Sequence, residues 1–326
     1  GDELWTKTAE GDGFRGHPEN YWDKVIVWND QIIDQRGPGS AYDLKTGEPV
    51  IRKHPITGDD VSWEFTKTGH HCNYAIASEN LMTFRAASAG FCDLATGGTA
   101  RLVGFRSGCR NSLIPADGVL NAPNFAHGCV CSYSIFTSLA FVNVPESNLW
   151  MYSAYDAGDG PVQRLGINFG APGDRIADDG TAWLNYPNVG DRSMDLAPKV
   201  TAERAQWFRA GPMEIEGGLP WVAGSGVKGI KTVSIPLRTG ENTRRRYTVN
   251  LHFAEPDAVA VGERVFDVLI DGDRVLEDFD IISAAGQTNK GIIKQVRGVE
   301  AGAQMTLTFV SKHGDPLICG IEILAE

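Results

Sequence analysis

The stretch Tyr247 to Gly272, YTVNLHFAEPDAVAVGERVFDVLIDG, decides the fold class. In its first seven residues Tyr247, Val249, Leu251 and Phe253 alternate with Thr, Asn and His, so an extended chain puts the four on one face. Such a strand has one buried and one wet face. The run RVFDVLIDG adds a second strand, which ends in the sharp turn Ile270-Asp271-Gly272-Asp273. Working outward, MTLTFV repeats the alternation with Met305, Leu307 and Phe309, and LGINFG, WVAGSG, KTVSIPL, DRVLEDFDI, GIIKQVRGV and LICGIEIL carry further short apolar runs. About nine strands with tight turns and almost no helix-period pattern predict a two-sheet sandwich or jelly roll over residues 164–326.

Upstream, two segments share one pattern: SAYDLKTGEPVIR from Ser40 and GFCDLATGGTARL from Gly90. Asp43 and Asp93 are equivalent, and each follows two apolar strand candidates. A third unit, GVLNAPN then SLAFVNVP, lacks the repeated turn. Several strands per repeat at a period of roughly 40–50 residues point to β-propeller blades, with a sandwich of two similar hairpins as the other arrangement that fits. The fold class expected is therefore all-β: propeller-like blades over 1–150, a linker over 151–163 (MYSAYDAGDGPVQ) and a β-sandwich over 164–326.

Composition sets outer limits. The chain has 326 residues, 42% hydrophobic and 22% charged, which suits a folded globular protein of two domains. Thirty Lys and Arg against 41 Asp and Glu give a net charge of −11, a field that opposes nucleic acids and anionic membranes. The basic run Arg244-Arg245-Arg246 precedes a strand and reads as its solvated start. No stretch reaches the ~20 apolar residues of a spanning helix, so membrane insertion by a helix is not expected.

Of six cysteines, five lie in the first half. Their spacing lacks the paired Cys-x-x-Cys of zinc sites, and no nearby His completes a set. A disulfide framework fits better, with Cys109 bonded to Cys129 or Cys131 and Cys72 taking the other, which implies an oxidising compartment. Cys92 and Cys319 sit in apolar strands and read as buried thiols. His70-His71 is an exposed pair rather than the start of a metal site. His252 lies on the face opposite Tyr247 and Phe253, as a surface or inter-sheet residue. No metal and no cofactor is expected.

The second half resembles malectin and the malectin-like carbohydrate-binding modules. The resemblance runs from Arg164 to Glu326 and rests on GINFGAPG (Gly166 to Gly173), YTVNLHFAE (Tyr247 to Glu255), GERVFDVLIDG (Gly262 to Gly272), VLEDFDI (Val275 to Ile281) and LICGIEIL (Leu317 to Leu324). It implies a jelly-roll-like sandwich that holds a short glucan with loop aromatics. The first half looks like the last blades of a pyrroloquinoline-quinone-type propeller. The combination is similar to large secreted or periplasmic proteins of planctomycete-type bacteria, and it implies a periplasmic or extracellular location. A propeller of fewer than four blades does not close, so the first half is expected to be completed by further blades or by a partner chain.

Sugar recognition needs flat aromatic faces and side chains that bond hydroxyls. Trp183 and Tyr186 lie in ADDGTAWLNYP beside Asp178 and Asp179; Trp207 and Phe208 lie in AQWFRAG; Trp221 lies in GLPWVAGSG. These aromatics stand in Gly- and Pro-rich context and form either an exposed platform or plugs at the ends of the sandwich. By resemblance, the glucan-binding aromatics come from the first and last of these loops and the ligand aspartate from the DFDI loop, where Asp280 matches. The expected carbohydrate site is Trp183, Tyr186 and Trp221 with Asp179 and Asp280. Nucleophile elbow, P-loop and HExxH motifs are absent, and the expected function is a non-catalytic carbohydrate-binding module for a glucan-type oligosaccharide. Alternatives are an assembly scaffold of a bacterial cell-surface or periplasmic complex, and a fragment of a quinoprotein-like oxidoreductase.

Overall fold

The structure is a computed structural model that describes residues 2–6, 24–35, 39–65, 73–124, 128, 131, 137–142, 150–151, 158–188, 194, 196, 198–211, 214–240 and 243–326. The chain divides into two compact units. The first comprises Gly1–Lys53, Asp60–Ser147 and Met151–Tyr155; the second comprises His54–Asp59, Asn148–Trp150 and Asp156–Glu326.

The first unit is built from short antiparallel sheets. Strands β1 (Ile26–Trp28), β2 (Gln31–Asp34), β3 (Gly39–Asp43) and β6 (Glu64–Phe65) form one sheet in that order, while β4 (Ile51–Lys53) pairs with β5 (Asp60–Ser62). Strands β7 (Ile76–Ala77), β8 (Leu81–Ala86), β9 (Ser88–Asp93) and β10 (Thr99–Leu102) form a second four-stranded meander. The third expected repeat is a three-stranded sheet of β11 (Ile114–Ala116), β12 (Val119–Ala122) and β13 (Leu139–Val142).

The internal repeat is chemical as well as geometric. The Asp43 carboxylate accepts from the backbone N–H of Lys45 and Thr46 at 2.9 and 2.8 Å, and Asp93 accepts from Ala95 and Thr96 at 2.8 and 3.1 Å. Those N–H groups of Thr46 and then Lys45 hold the Asp43 carboxyl below its ordinary pKa. Each aspartate closes its turn by accepting, on its carbonyl, from the N–H of Gly47 or Gly97. Both glycines have φ near +72°, the left-handed region that this turn requires and that a side chain disfavours. Ile33, Phe65, Met82, Phe84 and the Cys92 thiol form one continuous core beneath the two four-stranded sheets.

Cysteine pairing corrects one expectation. No disulfide is present among the described residues, and Cys131, expected to take part in one, carries a free thiol. Cys72 and Cys129, like His70 and His71, lie outside the described residues. Side-chain hydrogen bonds secure the loop around Cys109 instead: Gly108 N–H donates to Ser112 Oγ at 3.2 Å, Asn111 Nδ2 to the Thr83 carbonyl at 2.8 Å and Thr83 Oγ1 to the Leu113 carbonyl at 2.9 Å. Cys92 and Cys319 are buried thiols as expected, and burial pushes each up to about 12.

The second unit holds two larger sheets. The first contains β14 (Arg164–Phe169), β15 (Arg175–Ile176), β16 (Ala182–Tyr186), β19 (Arg245–Phe253), β22 (Ile292–Ala301) and β25 (Gly320–Ala325), in the order β15-β16-β14-β25-β19-β22. The second contains β17 (Lys199–Arg209), β18 (Ser225–Pro236), β20 (Val265–Ile270), β21 (Asp273–Asp280) and β23 (Gln304–His313), in the order β17-β18-β23-β20-β21, with β24 (Leu317–Ile318) also paired to β18. Two short helices, α1 (Pro220–Ala223) and α2 (Ile281–Ala285), complete it. The sheets face each other: the Phe253 ring of one meets Phe279 and Phe266 of the other at centroid distances of 4.8 and 6.1 Å.

Register explains what each face buries. Tyr247, Val249, Leu251 and Phe253 are all fully buried, as the alternation predicts. On that inner face Leu251, Ile321, Ile167 and Leu184 line up across β19, β25, β14 and β16. Burial of each contributes roughly 1.5–3 kcal/mol. The row on the outer face runs Gln295, Asn250, Glu322, Gly166, Trp183 across β22, β19, β25, β14 and β16.

Candidate functional site

The five residues expected to share a sugar site stand in different places. Trp183 points to the outer face of the six-stranded sheet and is 1% exposed. It lies over two glycines of neighbouring strands: a Cβ on Gly166 would sit 2.2 Å from the indole, and one on Gly320 would sit 2.9 Å from it. The slot between them admits the whole ring. Trp221 of α1 meets that ring edge to face at 5.4 Å, and His252 meets it at 5.0 Å and 90°. A half-buried Trp150 adds a third indole 6.2 Å from Trp221, and the Arg175 guanidinium lies 4.7 Å from the Trp221 ring centroid. Trp183 is therefore the buried centre of an aromatic cluster and not an exposed stacking surface.

His252, expected at the surface or between the sheets, is on the outer face but 2% exposed beneath this cluster. Among the described residues its Nε2 has no hydrogen-bond partner, and burial pushes its pKa down to about 4. Beside it, Gln295 Nε2 donates to Asn250 Oδ1 at 3.0 Å, Asn250 Nδ2 donates to Glu322 Oε2 at 2.7 Å, and Thr181 Oγ1 lies 2.9 Å from Glu322 Oε1. These bonds satisfy a nearly buried carboxylate on the sheet face.

The two aspartates are occupied by structure. Asp179 stands in the turn before β16, ion-paired to Arg164 at 3.3 Å and accepting from the Thr181 N–H at 3.0 Å. Tyr186 is the last residue of the same strand, so Asp179 and Tyr186 mark its two ends. Asp280 caps α2 by accepting from Ser283 N–H at 2.9 Å, and its other oxygen accepts from Gly262 N–H at 2.6 Å. It belongs to the second sheet, and both its oxygens carry backbone bonds.

Tyr186 faces the inside, on the same face as Leu184 and Ile167. Its ring is 5.9 Å from Phe169 and 6.1 Å from Trp207 of β17. Strands β16 and β17 lie toward the open edges of the two sheets, so the Tyr186–Trp207 pair stands where the sandwich meets solvent. Trp207 is 42% exposed and Tyr186 is half-buried. Behind Tyr186 is a cavity of ≈ 270 Å³ lined by Ile167, Leu184, Met194 and Leu196, with Asn185 and Asn188 also at its border. A second polar cluster lies where β19 leads to β20: Arg264 Nε pairs with the fully buried Glu255 at 2.6 Å and Nη2 with Asp257 at 3.0 Å, and Lys228 reaches Asp257 at 2.7 Å. These pairs fix the loop rather than leave a charge open for a ligand. Among the described residues no group of His, Cys, Asp and Glu is arranged to hold a metal.

Of the expected residues, the structure brings together only Trp183 and Trp221. The Tyr186 partner, Trp207, was among the loop aromatics of the sequence, but its place opposite Tyr186 depends on which strands end at the sandwich edges. That is a tertiary fact with no local signal.

The malectin domain model matches residues 238–321, which span β19 to the first residues of β25. The chain is similar to Receptor-like protein 4 of Arabidopsis thaliana, 39% identical over 82 residues, covering 24% of this chain and only 13% of that protein. Among solved structures, the extracellular domain of ANXUR2 from Arabidopsis thaliana is similar at 15% identity and a TM-score of 0.39, over 49% of this chain and 48% of that one. A β-glucuronidase of Bacteroides uniformis is similar at 16% identity and a TM-score of 0.40, over 50% of this chain and 18% of that one. Likeness at these TM-scores bears on neither activity nor ligand. The C-terminal region thus carries a malectin domain.

Proposed function

We propose that the second unit is a non-catalytic carbohydrate-binding module and that its sugar site is the sandwich edge at Tyr186 and Trp207. The observation that carries this reading is the cavity of ≈ 270 Å³ beside a half-buried tyrosine, with an exposed tryptophan across from it. This volume is at the small end of ligand pockets and suits one sugar ring, with the aromatic faces covering C–H surface and Asn188 at the border to bond a hydroxyl. A short glucan that extends past Trp207 into solvent is the ligand class this shape favours, with affinity in the micromolar to millimolar range, about −8 to −4 kcal/mol. Malectin-type binding in an extracellular or periplasmic setting agrees with this chemistry.

The experiment is a calorimetric titration of the full chain with glucose-containing oligosaccharides of different linkage. Tyr186→Ala and Trp207→Ala are each expected to weaken binding about tenfold, with the melting temperature lowered little by the exposed Trp207. Absence of saturable binding across the panel sinks the sugar reading.

The first unit supports a different role. Among the described residues β1, β11 and β13 are edge strands, and they expose Val27, Ile114 and Val142. Apolar side chains on unpaired edges suit pairing with further strands, which favours the reading of residues 1–150 as blades of a larger propeller that carries the binding module.

A further inference from the structure

The cavity behind Tyr186 has an apolar enclosed side and a polar solvent side, and we propose that the ring filling it is a neutral deoxyhexose, with methyl in place of the usual hydroxymethyl group. This rests on the sugar site at Tyr186 and Trp207 and names what enters it. Ile167, Leu184, Met194 and Leu196 line the cavity and are each at most 5% exposed, so its enclosed side is aliphatic and thioether. Tyr186, half-buried, and Asn188, exposed, stand toward solvent. Asn185 also borders the cavity, but alternation along β16 turns its side chain to the face opposite Leu184 and Tyr186, and its amide donates to the Pro187 carbonyl at 3.3 Å.

A hexopyranose carries hydroxyls on its ring carbons and one exocyclic arm, which reaches furthest from the ring. With that arm in the cavity, a hydroxymethyl group buries its hydroxyl among side chains that offer no hydrogen bond beyond the weak sulfur acceptor of Met194. A buried hydroxyl without a partner is costly. A methyl group has no such need; it gains from leaving water, and the flexible Met194 side chain adapts to its shape. The ring hydroxyls then face Asn188 and solvent. Among the described residues none that lines the cavity is charged, so a uronate or an amino sugar meets no counter-ion there.

The experiment is an NMR titration of the full chain, isotope-labelled at its methionine methyl groups, with glucose, with quinovose (the analogue of glucose that has methyl in place of hydroxymethyl) and with glucuronate. The chain has five Met, and Met194→Leu identifies the signal that belongs to the cavity. Quinovose is expected to shift that signal saturably and to bind about tenfold more tightly than glucose, within what an apolar pocket achieves against one added hydroxyl. Glucuronate is expected to leave it unmoved. Leu196→Asn places an amide in the wall and is expected to bring quinovose and glucose within about twofold of each other. Glucose binding as tightly as quinovose in the wild-type chain overturns the inference and leaves the sugar site standing. So does a glucose-containing oligosaccharide that binds at Met194 while quinovose does not. Absence of saturable binding by every sugar removes the site, and the inference with it. If Leu196→Asn does not fold, the wild-type ratio decides alone.

Discussion

The two faces of the six-stranded sheet are buried by opposite means. The inner face is aliphatic and aromatic, filled by Val249, Leu251, Phe253, Ile321 and Ile323 against the second sheet. The outer face is closed by one large ring in a glycine slot, a neutral histidine and a row of hydrogen-bonded amides around Glu322. The inner face gains its stability from area removed from water. The outer face depends on shape at Gly166 and Gly320 and on complete pairing at Glu322, so it tolerates less change.

The strongest way to break this comparison is to truncate one ring on each face. Trp183→Ala and Phe253→Ala are each expected to cost roughly 3–5 kcal/mol in urea unfolding of the second unit. A loss below about 1 kcal/mol for Trp183→Ala would show that the outer cluster is a surface ornament and that only the inner face is core.

Next in size is the effect of pH. His252 has its pKa lowered from 6.5 to about 4 by burial, so between those values the unfolded chain is protonated where the folded chain is not. Stability is therefore full above about pH 6.5 and falls as pH drops toward 4, by on the order of 3 kcal/mol. His252→Gln is expected to remove that part of the slope in pH-dependent urea melts. An unchanged slope would place the titration elsewhere.

The smallest expected effect sharpens the comparison at Glu322. Glu322→Gln keeps the shape and can turn its NH2 to Thr181 Oγ1, which then donates to Asp179 Oδ2, so what is lost is the charge assistance of the Asn250 bond, at a cost of about 1 kcal/mol. The same exchange at the exposed Glu300 is expected to fall within about 0.5 kcal/mol of wild type. Equal effects at both sites would mean the amide row is not enclosed.

Alternation made the inner face legible: Tyr247, Val249, Leu251, Phe253, Met305, Leu307 and Phe309 are all buried where period two puts them. The Asp43 and Asp93 repeat was legible too, because a turn set by one carboxylate and one glycine is written locally. The outer face was not, since Asn250 and His252 read as the wet half of a strand until α1 and Trp183 cover them. The site residues were harder still. Trp183 and Tyr186 are three residues apart, and on a strand that separation turns them to opposite faces; knowing that WLNY is a strand and not a loop would have divided the expected platform. Asp280 was read as the ligand aspartate of the DFDI loop, and its role as a cap shows only once residues 281–285 are seen to form α2.

Strand β25 lies between β14 and β19 in the middle of its sheet, with Arg164 paired to Leu324 and Tyr247 to Ala325. The ribosome makes β14 first and β25 last among these strands, so during synthesis the inner edges of β14 and β19 wait without their common neighbour. The sheet cannot close vectorially from its first strand; β14 and β19 must wait for the final strand to emerge. Such late, distant pairing slows folding and makes residues 320–325 the step on which the nascent unit commits to its native form.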